Sequence, residues 1–115
     1  MITRSMSLTL EEKFALRMIF RGSDPTSVAV LAQLDAMDAK QRKATGVGFF
    51  TSIRLAIPLR VIEPRHKDWN FRHRLLSHGG SFMCTIEDPT VLELEAVSHN
   101  GDWPHSFHVE DFIES

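Results

Sequence analysis

Phe49-Phe50-Thr51-Ser52-Ile53-Arg54-Leu55-Ala56-Ile57 decides the fold class, because here the hydrophobic period changes from that of a helix to that of a strand. Phe49, Ile53, Leu55 and Ile57 share one parity, while Ser52 and Arg54 take the other. Alternation of this kind marks a half-buried strand. Before it, two helices are read over about 9–44. Thr9-Leu10-Glu11-Glu12 has the form of a capping box, in which the Thr hydroxyl and the Glu carboxylate satisfy each other's backbone donors. Leu10, Phe14 and Met18, flanked by Ala15 and Ile19, then form an apolar stripe that closes at Arg21-Gly22. Asp24-Pro25 restarts the pattern as N-cap and first helical residue. Val30, Leu31, Leu34 and Met37 form the second stripe, and Gly46 is its expected stop. The short link between the two predicts an antiparallel helical hairpin.

Everything after the quoted strand reads as more sheet. Pro58 and Pro64 bracket a loop. Trp69, Phe71, His73 and Leu75 alternate with Asn70, Arg72 and Arg74, and Gly79-Gly80 is the expected turn. Phe82, Cys84 and Ile86 form a third strand, Asp88-Pro89 turns the chain, and Leu92, Leu94 and Ala96 form a fourth. The expected architecture is α+β, an N-terminal helical hairpin packed on a four-stranded antiparallel meander. The whole chain, 1–115, reads as one domain, with helices over about 9–44, sheet over about 48–99 and an irregular tail over 100–115. Phe14, Leu34, Phe49, Ile53, Phe82 and Leu94 are the predicted core, and Val109, Phe112 and Ile113 can pack back onto it from the tail.

With 115 residues, 43% of them hydrophobic, the chain can form an ordinary packed core. A net charge of -2 argues against a dedicated nucleic-acid binder. A single cysteine, Cys84, cannot form an internal disulfide, and no run of residues resembles a signal peptide or a membrane span. These features favour a cytoplasmic, non-membrane protein. Charge is unevenly spread. Glu87 to Ser115 carries eight acidic residues and no Lys or Arg, whereas Arg54 to Arg74 carries six Lys or Arg against two acids.

No constellation for catalysis stands out. Thr45-Gly46-Val47-Gly48 precedes a strand, so its glycines read as a helix stop and a strand entry, not as a phosphate loop. Cys84 lies on the apolar parity of its strand and reads as a small core hydrophobe. His66, His73, His78, His99, His105 and His108 are scattered and do not make a zinc pattern with one cysteine. No cofactor and no metal are therefore expected. Glu93 and Glu95 share one strand face and are open to two readings, a solvated face or a pair of carboxylates in a cleft. In the basic segment 65–74, Trp69 and Phe71 have core parity, which leaves little for base stacking.

Three pieces together carry a resemblance: Thr45-Gly46-Val47-Gly48-Phe49-Phe50-Thr51, then His78-Gly79-Gly80-Ser81-Phe82, then Leu94-Glu95 with Gly101-Asp102-Trp103-Pro104. In this order the chain resembles a group of small uncharacterised bacterial proteins with a TGVGFFT strand, a GxxF strand and a closing LE and WP. The helical half contributes only its length. After Leu94-Glu95 the group has Gly and an aromatic where this chain has Ala96-Val97. By analogy the resemblance implies an immunity or antitoxin-like protein. The expected function is accordingly non-enzymatic binding of another protein, such as a cognate toxin. Glu93, Glu95, Asp102, Trp103, Glu110 and Asp111 are the expected contact residues. A small-ligand-binding or enzymatic α+β domain and a nucleic-acid regulator acting through 65–74 are the alternatives.

Overall fold

In the computed structural model, which describes residues 6–114, the two expected helix starts form as read. Helix α1 spans Leu10–Ile19, and its capping box is complete: Glu12 N donates to Thr9 Oγ1 at 3.0 Å and Thr9 N to Glu12 Oε1 at 2.8 Å. Helix α2 spans Pro25–Ala32, with Asp24 Oδ2 accepting from Ser27 N at 3.0 Å.

The face that α1 buries differs from the expected stripe. Ala15, Leu16 and Ile19 are buried together with Glu12, while Phe14 and Met18 are half-buried and Leu10 is 75% exposed. Glu12 is the reason. Its carboxylate turns inward to meet Arg42 and Thr51, and the helix is rotated to admit it.

The second helix is shorter than expected. It stops at Ala32, a 3-10 turn follows over Leu34–Ala36, and residues read as helix become a strand. Gln33 fixes the exit, its amide bonding both the N–H and the C=O of Ile57 at 2.9 and 2.8 Å. Local propensity in Asp38–Ala44 yields here to pairing with a neighbouring strand.

The strands are β1 (Met6–Ser7), β2 (Asp38–Ala44), β3 (Gly48–Arg54), β4 (His66–His73), β5 (Leu76–Asp88), β6 (Val91–Ser98) and β7 (Phe112–Glu114). They form one antiparallel sheet in the order β1-β2-β3-β6-β5-β4-β7. The protein is thus α+β, with two helices and seven strands among the described residues. The expected four-strand meander understates the sheet by β1 ahead of the helices, β2 within the segment read as helix and β7 in the tail. β4, β5 and β6 do follow one another as a meander, but β6 then pairs with β3 across the middle.

Turns and the tail also differ. The β4–β5 turn is Arg74-Leu75, so Leu75 is 67% exposed and Leu76 takes the core place expected of it. Gly79 and Gly80 lie inside β5, where the chain passes close to its neighbours. Gly79 has φ +69°, and a Cβ on Gly80 would sit 2.6 Å from the Val97 carbonyl. β3 ends at Arg54, which leaves Ile57 65% exposed in a loop. The tail is not irregular throughout, for a 3-10 turn at Val109–Asp111 leads into β7, which pairs with β4. Phe112 packs back, its ring centroid 4.9 Å from Phe71 and 4.6 Å from His73, whereas Val109 and Ile113 are exposed.

One side of the sheet carries the core. Ile53, Phe82, Cys84, Ile86, Leu92 and Leu94 are fully buried there, and α1 lies over β4 and β5. Of the predicted core, Leu34, Ile53, Phe82 and Leu94 are buried, while Phe14 and Phe49 are half-buried.

Candidate functional site

The two sides of the central strands differ by strict alternation. Phe49, Thr51 and Ile53 of β3 face the helices, so Phe50, Ser52 and Arg54 face away. Registry extends this outward side across the sheet in rows. One row runs Lys43, Phe50, Glu95, Met83, Asp68, and the next runs Gln41, Ser52, Glu93, Thr85, His66. Both helices lie on the opposite side, so no helix among the described residues covers these rows. Phe50, Met83 and Val97 are nevertheless half-buried by their neighbours, and Ser52 is 7% exposed.

Glu93 sits at the centre of that outward face. Its Oε1 accepts a long hydrogen bond from Ser52 Oγ at 3.4 Å, and its Oε2 is shut off from water with no hydrogen-bond partner among the described residues. Burial pushes the carboxyl above its ordinary range, the Ser52 bond lowers it, Glu87 raises it and Lys40 lowers it, with burial prevailing. An unsatisfied buried carboxylate oxygen is a costly arrangement.

The six expected contact residues do not come together. Glu93 and Glu95 are neighbours on the outward face, flanked by Lys43 and Arg54. Trp103 is on the other side, edge-on to Phe49 at 5.9 Å and beside Phe82 at 5.9 Å. Asp102 is exposed in the loop before it. Glu110 and Asp111 lie in the turn leading to the β7 edge, within 3.8 Å of His108 and 3.7 Å of Arg74 respectively. The sequence reading missed Phe50, Met83 and Val97 as outward hydrophobics. It also missed the cations that β2 brings alongside, because Asp38–Ala44 shows no clear alternation.

A cleft of about 310 Å³ opens on the helix side between α1, β2, β3 and the loop at Trp103. Arg42 Nε and Nη2 donate to Glu12 Oε2 and Oε1 at 2.8 Å each, and Thr51 Oγ1 donates to Glu12 Oε2 at 2.6 Å. Burial works to raise the Glu12 carboxyl, but the bonds from Arg42, Thr51 and the Thr9 backbone outweigh it and hold it below its ordinary value. Glu11 accepts from Trp103 Nε1 at 3.2 Å, and burial raises its carboxyl. Of the sequence pieces noted above, the TGVGFFT strand and Trp103-Pro104 line this cleft, and backbone bonds tie the strands behind it. Trp103 N donates to Gly46 O, Ser98 N to Val47 O and His99 N to Gly79 O, each at 2.7 to 2.9 Å. A Cβ on Gly48 would collide with the Ala96 carbonyl.

In the basic segment, the rings of Trp69 and Phe71 are buried, and Lys67 turns inward to Asp24 Oδ1 at 2.8 Å and Ser27 Oγ at 2.7 Å. Asp24 is held low by Lys67 and Ser27. Cys84 is buried beside Leu94, and burial pushes its thiol up. Among the described residues no group of three or more His, Cys, Asp or Glu side chains is placed to hold a metal ion, and no helix is long and apolar enough to cross a membrane. No family model, curated protein or solved structure matches the chain.

Proposed function

We propose that this protein works without catalysis, by binding a basic surface of another protein through the outward face of its sheet, as an immunity-type protein neutralising a cognate toxin. The observation that carries the reading is the half-buried Glu93 carboxylate, whose Oε2 is closed to water and lacks a partner among the described residues, in the middle of a face no helix covers. Turned outward from its half-buried position, the Glu93 carboxylate would take the missing donor from a partner's Lys or Arg, and such charge-assisted bonds are the strong ones. Phe50 and Met83 in the neighbouring row, and Val97 in the row beyond, offer apolar contact, which is how interface cores differ from ordinary surface. Glu95, Asp68 and Glu87 add negative charge on β6, β4 and β5, away from Lys43 and Arg54 on β2 and β3, and would steer a basic partner to that half of the face. The acidic residues at the β7 edge and Trp103 play no part in this contact. The small bacterial proteins that the chain resembles suggest the toxin, by analogy alone.

The test is capture from a native lysate on immobilised protein, repeated with Phe50→Asp and Glu93→Gln. The captured toxin is then expressed alone and its association rate measured. Capture that both substitutions abolish, with an association rate that falls as salt rises, is the expected result. A complex indifferent to both substitutions and to salt would overturn the proposal.

A further inference from the structure

A second concavity, of about 420 Å³, lies away from both the outward face and the motif-lined cleft, between α2 and the loop that follows β3. This volume falls within the roughly 300 to 1,000 Å³ of small-molecule sites. Ala29 and Ala32 leave room on the helix side, and Ile57, Pro58 and Val61 form the facing wall. Ile57 and Val61 are 65% and 46% exposed, an arrangement that costs free energy while the groove is empty.

The groove is preformed. At one end the Gln33 amide holds both backbone groups of Ile57. At the other, the Thr26 hydroxyl bridges the carbonyls of Val61 and Glu63 at 2.9 and 2.8 Å. Between them Leu59 is buried and donates its N–H to Pro89 O at 2.8 Å. These bonds fix the loop on both sides of the groove. One charged side chain lines the groove, Arg60, and among the described residues it joins no ion pair.

We infer that this groove binds a free straight-chain aliphatic carboxylate, with the chain between α2 and the Ile57–Val61 loop and the carboxylate on Arg60. The apolar walls of Ala29, Ala32, Ile57, Pro58 and Val61 suit a hydrocarbon chain, and a cation beside them that joins no ion pair suits one anionic head.

The experiment titrates decanoate into the intact protein below its micelle concentration, following backbone amide shifts by NMR, with decanol and decylamine as controls. Decanoate should shift Ala29, Ala32 and Ile57 selectively. Arg60→Gln should weaken decanoate about tenfold, the change expected of one charge-assisted hydrogen bond, while leaving decanol unaffected. Ala32→Trp, at the exposed end of α2, should fill the groove and abolish both. Decylamine binding as well as decanoate, an Arg60→Gln variant with unchanged decanoate affinity, or shifts confined to other residues would overturn the assignment. So would binding of phosphatidylglycerol vesicles without binding of free decanoate, which would make the groove a membrane contact instead.

Discussion

The Arg42 guanidinium meets both oxygens of the Glu12 carboxylate, Nε to Oε2 and Nη2 to Oε1, each at 2.8 Å, and so ties β2 to the first turn of α1. The Glu12 side chain is only 3% exposed, so removing its partner strands a charge. Arg42→Ala should cost about 3 kcal/mol or more, and Arg42→Lys should recover little because it cannot form the paired contact. Because the folded Glu12 carboxyl lies below its ordinary value of 4.5, the stability it contributes is complete above that value. It is lost as pH falls through the lower folded value. Urea midpoints from pH 7 down to 3 should show this acid loss in the wild type and a flatter limb in Glu12→Gln.

Glu93 has the opposite sign. Burial raises its folded carboxyl above 4.5, so its ionisation destabilises the fold at neutral pH, and that cost disappears below the unfolded value. Glu93→Gln should therefore melt above the wild type at pH 7, with the advantage shrinking as pH drops below 4.5. A lower melting temperature for the variant at pH 7 would contradict the unsatisfied oxygen. If the open face binds a basic partner, the same substitution stabilises the fold and weakens the complex.

The two glycines of the TGVG stretch, two residues apart, should respond unequally. A Cβ on Gly48 runs into the Ala96 carbonyl, so Gly48→Ala should cost about 3 kcal/mol or more or prevent folding. Gly46 has φ +83° but open space around it, so Gly46→Ala should cost only the left-handed strain, about 1 to 2 kcal/mol. Denaturant melts of the two variants separate collision from strain.

Cys84 is 1% exposed, and its thiol is raised by burial first and by Glu93 second. A thiol reagent should reach it only through unfolding, at a rate that climbs with urea in step with the global transition. Fast labelling of the native protein would place the side chain on the wrong face of β5.

Much of the architecture is legible in local signals. Thr9 with Glu12 and Asp24 with Pro25 mark helix starts, because caps act within one turn. Period-two alternation finds β4, β5 and β6, and it turns Trp69, Phe71 and Phe82 inward correctly. What fails to show depends on distant partners. Asp38–Ala44 has the composition of a helix and becomes a strand because Arg42 finds Glu12 and β3 offers an edge. β1 and β7, with two and three residues, are too short to carry a period. The candidate face suffers likewise. Glu93 and Glu95 are readable as one strand face, but only registry puts Phe50 and Met83 beside them. Composition groups Trp103, Glu110 and Asp111 with those acids, whereas the sheet divides them between its two sides and its edge.

The pairing of β3 with β6 has a consequence for synthesis. Gly48 to Arg54 finds its partners in Val91 to Val97, so the middle of the sheet joins segments far apart along the chain. Closing so long an intervening loop opposes that pairing entropically until other contacts compensate. On the ribosome, both helices and β2 and β3 emerge before β6 exists, and Phe49 and Ile53 must wait without their cross-strand neighbours Ala96 and Leu92. Chains halted before residue 91 should therefore remain open to proteases over 48–54, and protection there should arrive abruptly once β6 has left the exit tunnel.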